Sequence, residues 1–225
     1  MIPWVLLDTA QIPGGEGELR LKRRGSEFSI VLGDNELMNS RLSGSEEALA
    51  TLTAERLQAC SAPRVLIGGL GMGFTLRAAL VAFGAEAQIV VAELVPAVVA
   101  WARGPMSEVF GTSLADPRVS IEETDVGRLL RTHRSSYDAI LLDVDNGPEG
   151  LTRNANDSLY DLGGLRAARV ALRPGGVLAV WSSGFNRDFR ARLHKAGFHV
   201  DEIRVRANSN GRGARHCIWI ATRHD

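Results

Sequence analysis

Carboxylates and glycines at the ends of apolar runs are the residues of this chain best placed to do chemistry. The run Arg64-Val65-Leu66-Ile67 opens into Gly68-Gly69-Leu70-Gly71-Met72-Gly73, and a helical pattern follows from about Met72 to Phe83, with Gly84 as its C-terminal stop. Glycine serves where the backbone turns tightly with φ > 0 and a ligand must approach without a Cβ in the way. The free N–H groups of the following helix start suit a nucleotide or nucleoside. The spacing Gly69-x-Gly71-x-Gly73 is not the dinucleotide pattern G-x-G-x-x-G, and it lacks the Lys-Ser/Thr of a phosphate loop. Glu93 closes the next apolar run, Gln88-Ile89-Val90-Val91-Ala92. An acidic residue about 20 positions past the turn, at the tip of a second strand, is where a ribose diol is held by carboxylate hydrogen bonds. Gly68, Gly69, Gly71, Gly73 and Glu93 therefore favour an adenosine-containing ligand.

Three further carboxylates stand at strand ends. Asp125, in Glu123-Thr124-Asp125-Val126-Gly127, either accepts from an adenine amino group or caps a helix. Asp143 and Asp145, in Asp143-Val144-Asp145-Asn146-Gly147-Pro148, are separated by one residue before a turn. Such a pair is not left idle in a dry core, and each carboxylate pushes the other's pKa upward, so one can act as a general base or orient a cationic nucleophile. With no histidine beside them to complete a transition-metal site, no metal is expected. Trp101 and Trp219 lie in apolar runs and read as core, whereas Trp181, beside Ser182-Ser183, has a better claim to the site. His216 and Cys217 are adjacent on a strand and so point to opposite faces, which discounts a catalytic Cys-His pair.

The elements that must position these groups read as follows. Trp4 to Asp8, Glu18 to Arg23 and Glu27 to Leu32 form short strands separated by Pro13-Gly14-Gly15 and Gly25-Ser26, a small N-terminal β-ribbon over residues 1–42. It is too short to bury its own core, so it packs on the main domain or another subunit. Residues 43–225 form the nucleoside-binding domain. There Ser45 caps a helix from Glu46 to Cys60, with Glu46 and Glu47 at its positive end. From Pro63 strands and helices alternate: a helix near Pro96 to Ala102, strands over Arg118 to Glu122 and Tyr137 to Asp143, a helix over Leu159 to Leu172 stopped by Pro174-Gly175-Gly176, a strand over Val177 to Trp181, and a helix from Arg187 to Ala196. Repeated strand-helix units specify an α/β, doubly wound, mostly parallel sheet. The closing strands, Phe198 to Val205 and His216 to Ala221, have no helix between them and specify an antiparallel edge hairpin. In such a sheet the ligand lies at the carboxyl ends of the strands, which is where the glycine turn, Glu93, Asp125 and Asp143 fall.

The bulk properties narrow the function. The chain has 225 residues, 45% of them apolar and 23% charged, as expected of a folded globular protein. The formal net charge is zero, and residues 187–225 hold nine Lys/Arg against four Asp/Glu, a modest excess that reads as a solvated face, so no nucleic-acid partner is expected. Only Cys60 and Cys217 are present, which fits a reduced cytoplasmic protein. No apolar run reaches the ~18–20 residues of a membrane span, and no signal-peptide pattern opens the chain, so no membrane association is expected. The edges of the N-terminal ribbon would be covered in a homodimer. The segment Ala207 to Arg215, rich in Gly, Asn and Arg, reads as a hairpin end that could also close over a substrate.

Gly68-Gly69-Leu70-Gly71-Met72-Gly73, Glu93, Asp116-Pro117-Arg118-Val119, Asp125, Tyr137-Asp138-Ala139-Ile140-Leu141-Leu142-Asp143 and Leu172-Arg173-Pro174-Gly175-Gly176-Val177-Leu178 together resemble the spermidine synthase family, over roughly residues 27–220. The resemblance implies a Rossmann-like, class I S-adenosylmethionine-dependent methyltransferase fold. It implies transfer of an aminopropyl group from decarboxylated S-adenosylmethionine, a co-substrate rather than a permanently bound cofactor, to a small-molecule amine. Asp143 matches the family's catalytic aspartate, Glu93 its ribose ligand and Asp125 its adenine ligand. The family's fourth-strand motif has two residues between its aspartates where this chain has Val144 alone. Where the family has polyamine-lining glutamine and Tyr-His-Glu groups, this chain has Leu37-Met38-Asn39-Ser40 and Ser45-Glu46-Glu47. Two other readings share the same pocket: an S-adenosylmethionine-dependent small-molecule methyltransferase with Asp143 positioning its acceptor, and a nucleoside-binding protein without chemistry.

Overall fold

Alternating and continuous apolar runs sort this chain into two sheets. The computed structural model describes residues 2–14, 17–144, 147–149, 158–208 and 213–225; Asp145, Asp157 and Arg212 lie outside them. Strands β1 (Val5–Gln11), β2 (Glu18–Arg24), β3 (Glu27–Leu32) and β4 (Asn35–Asn39) form an antiparallel sheet in that order. The expected ribbon is thus one strand larger. Asn35-Glu36-Leu37-Met38-Asn39 lacks an alternating pattern, and it becomes a strand because the two-residue turn Gly33-Asp34 folds it back onto β3, pairing Leu32 with Asn35.

The second sheet contains β5 (Arg64–Gly68), β6 (Gln88–Glu93), β7 (Val119–Glu123), β8 (Tyr137–Leu142), β9 (Leu172–Ser182), β10 (His199–Arg206) and β11 (Arg215–Thr222), in the order β10-β11-β9-β8-β5-β6-β7. Strands β5 to β9 are parallel, and β11 pairs antiparallel with both β9 and β10. This is the doubly wound, Rossmann-like methyltransferase architecture with the expected antiparallel edge. The chain runs outward from β5 through β6 to β7, then returns to the other side of β5 as β8. That reversal opens a crevice at the carboxyl ends of β5 and β8.

The helices are α1 (Gly44–Arg56), α2 (Phe74–Ala82), α3 (Pro96–Arg103), α4 (Ser107–Phe110), α5 (Val126–Thr132), α6 (Leu162–Ala171) and α7 (Arg187–Lys195). Side chains alternate across the parallel strands, so Val65, Ile67, Val91 and Leu141 join one core while Leu66, Val90, Ile140 and Leu142 join the other. Leu21, Phe28 and Ile30 of the N-terminal sheet belong to the first of these cores, so the small sheet packs directly on the main one. The Trp101 indole N–H on α3 donates to Asp8 of β1 at 2.6 Å, a further tie between the two, and holds the Asp8 carboxyl below its ordinary range. Trp219 is fully buried, in keeping with a core role.

Three boundaries differ from the sequence expectation for physical reasons. Ser45 is not a cap: α1 starts two residues earlier than expected, at Gly44 with Ser43 in the cap position, and the buried Ser45 hydroxyl is turned inward onto Glu46. Helix α2 begins at Phe74 because Gly71 and Gly73 stand at φ +50° and +74°, outside the right-handed helical region. Leu172 passes straight from α6 into β9, and Gly175 and Gly176 exchange backbone hydrogen bonds with Arg223 instead of forming a free loop.

Candidate active site at the glycine turn

The turn between β5 and α2 is sewn to both neighbouring strands. The Gly69 N–H donates to the Ala92 carbonyl at 2.9 Å, and the Asp143 N–H donates to the Gly68 carbonyl at 3.0 Å. Gly69 sits at φ +92°, and a Cβ there would come within 2.5 Å of the Asp143 carbonyl oxygen. At Gly73, φ +74°, a Cβ would run into the Phe110 ring at 2.3 Å. Both positions therefore require glycine for packing as well as for backbone conformation.

Glu93, the last residue of β6, is buried behind this turn. Its Oε2 accepts the Leu70 N–H at 2.8 Å and its Oε1 accepts the Val95 N–H at 2.9 Å. Burial raises its pKa, opposed by the backbone N–H groups of Val95, Leu70, Gly71 and Leu94. The carboxylate fixed in this way also lines a cleft.

The cleft lies between the crevice and the N-terminal sheet and has two lobes. The larger, about 860 Å³ counting its open mouth, is bounded by Gly69, Gly71, Glu93, Asp125 and Asp143 on one side and by apolar side chains of β2 and β3, Leu19 and Ile30 among them, on the other. The smaller, about 630 Å³ on the same measure, lies against Asn39, Glu46, Gly73, Phe74, Asp143 and Trp181. Met38 and Gly71 line both lobes, with the Met38 sulfur over Gly71, and Asp143 stands where the lobes meet.

Asp143 follows β8 directly. Its Oδ2 accepts the Thr75 hydroxyl of α2 at 2.6 Å. Burial pushes its pKa up to about 7, the negative charge of Glu46 adds to the rise, and the Thr75 hydroxyl opposes it. Glu46, in the first turn of α1, is also raised by burial and by the neighbouring Glu47, against the Ser45 hydroxyl that donates to its Oε2 at 2.6 Å. Two carboxylates thus share one lobe, where charging both at once is costly. Among the described residues lining either lobe there is no lysine, arginine or histidine. Nor do three His, Cys, Asp or Glu side chains converge among the described residues in an arrangement that could hold a metal ion.

The residues singled out from sequence are placed as follows. Gly69, Gly71, Gly73, Glu93, Asp125 and Asp143 all border the cleft. Gly68 stands behind it, where a Cβ would press on Val126 and Leu142 at 3.1 Å. Asp145 lies outside the described residues. Asp125 caps α5, accepting the Gly127 N–H at 2.6 Å through Oδ1, and also lines the larger lobe. Trp181 walls the smaller lobe, and its indole N–H has no acceptor among the described residues. His216 and Cys217 do face opposite sides: His216 packs on Trp181, and Cys217 is buried in the other core, where desolvation pushes its thiol up to about 12. Sequence reasoning missed Glu46, Thr75 and Met38 as site residues. The resemblance sets Met38 and Glu46 against polyamine-lining positions without giving either a role; the local signals are an acidic first helical turn, which reads equally as dipole compensation, and a threonine in the apolar start of α2.

No family model matches this sequence, and no curated protein matches it. Solved structures do resemble the fold. Spermidine synthase from Thermotoga maritima superposes with a TM-score of 0.75 at 16% identity, covering 96% of this chain and 72% of that one. A spermidine synthase in complex with the transition state analogue AdoDATO gives 0.74 at 17% identity, with the same coverages. A probable spermidine synthase from Corynebacterium glutamicum gives 0.65 at 17% identity, covering 96% of this chain and 79% of that one. At these identities the likeness shows a shared fold. No helix among the described residues is long and apolar enough to cross a membrane.

Proposed function

We propose that this chain is a spermidine synthase-like transferase that moves an aminopropyl group from decarboxylated S-adenosylmethionine to a small-molecule amine. The observation that carries this reading is the convergence of Asp143 and Glu46 beside the glycine turn, with no cationic side chain among the described lining residues. A ligand carrying an ammonium at that place is attracted, whereas the free carboxylate of intact S-adenosylmethionine would face two carboxylates. Solved structures that share this fold include spermidine synthases, one of them in complex with a transition state analogue, which supports the same reading.

In the proposed reaction Glu93 holds the ribose diol, and the apolar inner face of the N-terminal sheet covers the nucleoside. The acceptor ammonium gives one proton to the Asp143 carboxylate. Its freed lone pair attacks the methylene carbon bonded to sulfur, the C–N bond forms, and the C–S electron pair goes to the sulfonium, which leaves as the neutral thioether methylthioadenosine. A carboxylate with a pKa near 7 is matched to this task at physiological pH, and most of the remaining rate comes from alignment of nitrogen, carbon and sulfur.

Calorimetric titration with decarboxylated S-adenosylmethionine, S-adenosylmethionine and methylthioadenosine tests the reading. Preference for the decarboxylated form, followed by putrescine-dependent release of methylthioadenosine, is the expected result. Preference for S-adenosylmethionine would favour a methyltransferase, and binding of neither would leave a fold without this chemistry.

A further inference from the structure

We infer that Ser45 and His216 form a proton-exit relay that carries the proton taken up by the Asp143–Glu46 pair out of the cleft. The inference rests on the transferase reading, in which each turnover leaves one proton on Asp143. With nucleoside and acceptor seated, both lobes are filled and Asp143 lies where they meet. Water reaches it poorly from the cleft side, yet the proton must leave before the next ammonium can be deprotonated.

From Glu46 onward a chain of polar contacts leads away from the cleft on the opposite side. Glu46 lines the same lobe as Asp143. The Thr75 hydroxyl, 2.6 Å from the Asp143 carboxylate and 3.5 Å from the Glu46 carbonyl, brings the two strands of chain together. The fully buried Ser45 hydroxyl donates to Glu46 Oε2 at 2.6 Å. Behind it, Nδ1 of His216 lies 2.9 Å from Ser45 Oγ. His216 belongs to β11 and is half-buried, its ring edge-on against Trp181 at 4.7 Å, immediately outside the wall of the smaller lobe. Directly across on β10 stands Val205, so the sheet neighbour facing the ring is uncharged, and the flanking Arg204 and Arg206 alternate to the other face. From α1 the ring meets Ser45 with Glu46 beyond it, and from β9 it meets Trp181. A serine buried without a capping role, between a carboxylate and a half-exposed imidazole, has the composition of a relay.

The proton balance closes. Protonated Asp143 gives its proton to ionised Glu46 across the lobe they share, which restores the Asp143 carboxylate; that proton then passes from Glu46 to Ser45 Oγ while the Ser45 hydroxyl proton passes to Nδ1 of a histidine protonated at Nε2, giving an imidazolium. Loss of the Nε2 proton to solvent buffer leaves Nδ1–H donating to Ser45 and Ser45 donating to an ionised Glu46, the polarity in which Ser45 donates to Glu46. Rotation of the hydroxyl and exchange of the imidazole tautomer reset the path.

Two measurements test the relay, one of them independent of turnover. In protein carrying 15N-labelled histidine, the His216 ring shifts are followed from pH 4 to 9 in the wild type, Asp143→Asn and Ser45→Ala. A second inflection on His216 in the wild type, absent in both variants, is expected; a His216 titration indifferent to Asp143→Asn would overturn the relay. In turnover assays at low buffer concentration, His216→Ala and His216→Gln are expected to lose roughly 10–100-fold in kcat with KM little changed, at or below what a positioned proton acceptor contributes. Imidazole should restore His216→Ala. Glutamine can keep a hydrogen bond to Ser45 but cannot carry a proton, so full activity in His216→Gln would show a merely structural contact and overturn the inference. Absence of turnover in the wild type would overturn the transferase reading, and the nitrogen titration would still decide the relay.

Discussion

The backbone N–H of Leu70 donates to the carboxylate of Glu93 at 2.8 Å, joining the glycine turn after β5 to the tip of β6 across 23 residues of chain. One carboxylate therefore both holds the turn in shape and lines the cleft. Glu93→Gln keeps the size but leaves one backbone N–H, of Leu70 or Val95, facing an amide NH2. Nucleoside affinity is expected to fall at least tenfold, about 1.4 kcal/mol, and the melting temperature to fall with it. Calorimetry and thermal melts on the same preparation check this; unchanged affinity would remove Glu93 from the binding site.

Asp143→Asn separates binding from chemistry. Nucleoside affinity is expected to stay within about twofold while turnover falls by ~100-fold or more, the scale of a lost general base. In the wild type kcat/KM should rise with pH through about 7, the value to which burial and Glu46 push Asp143, and level off above it.

The same shift predicts a stability effect whose sign can be worked out. The folded pKa of about 7 lies above the ordinary 3.8, so between the two the folded state binds the extra proton. The contribution is fully present below the unfolded value and is lost as pH rises through the folded one. Asparagine carries no charge at either pH. Asp143→Asn is therefore expected to melt several degrees higher than the wild type at pH 8, and the gap should narrow toward pH 5. Melts at both pH values decide it, and a gap that widened at pH 5 would contradict a buried, charge-penalised carboxylate.

Asp125 carries a cap and a place in the cleft on one side chain. Asp125→Ser keeps a capping oxygen, whereas Asp125→Ala removes it and should cost about 1 kcal/mol. If Asp125 also reads the adenine amino group, both variants lose discrimination between adenosine and inosine forms of the nucleoside while only alanine loses stability. Chemical denaturation paired with a competition titration separates the two roles.

Gly69→Ala should be damaging at the level of backbone. Its φ of +92° and the Asp143 carbonyl 2.5 Å from a would-be Cβ leave no room, and a cost of roughly 1–3 kcal/mol is expected. Displacement of Asp143 should lower turnover further. Gly84→Ala, where a Cβ meets nothing within 4 Å and φ lies outside the left-handed range, is the control and should be nearly neutral by denaturant titration.

The amino-acid sequence by itself determined the alternation of strands and helices from Arg64 onward. Continuous apolar runs such as Val65-Leu66-Ile67 and Ala139-Ile140-Leu141-Leu142 can be satisfied only by strands covered on both faces, and the glycines at positions 69, 71 and 73 can serve only a turn. Those are local constraints, written within a few residues of where they act. They also located Glu93, Asp125 and Asp143, because a strand end is a position that sequence reveals. Strand β4 was hidden because its pairing with β3, and no pattern of its own, makes it a strand. The Thr75–Asp143 contact spans 68 residues and the Ser45–His216 contact 171. Periodicity reports which face of an element is buried but not which distant element buries it, so Glu46 read as a helix-dipole charge until α1 was set against the end of β8. Tertiary structure alone decided that this charge stands beside Asp143, because the effect of one carboxylate on another's proton depends on their separation in space and on the water excluded between them.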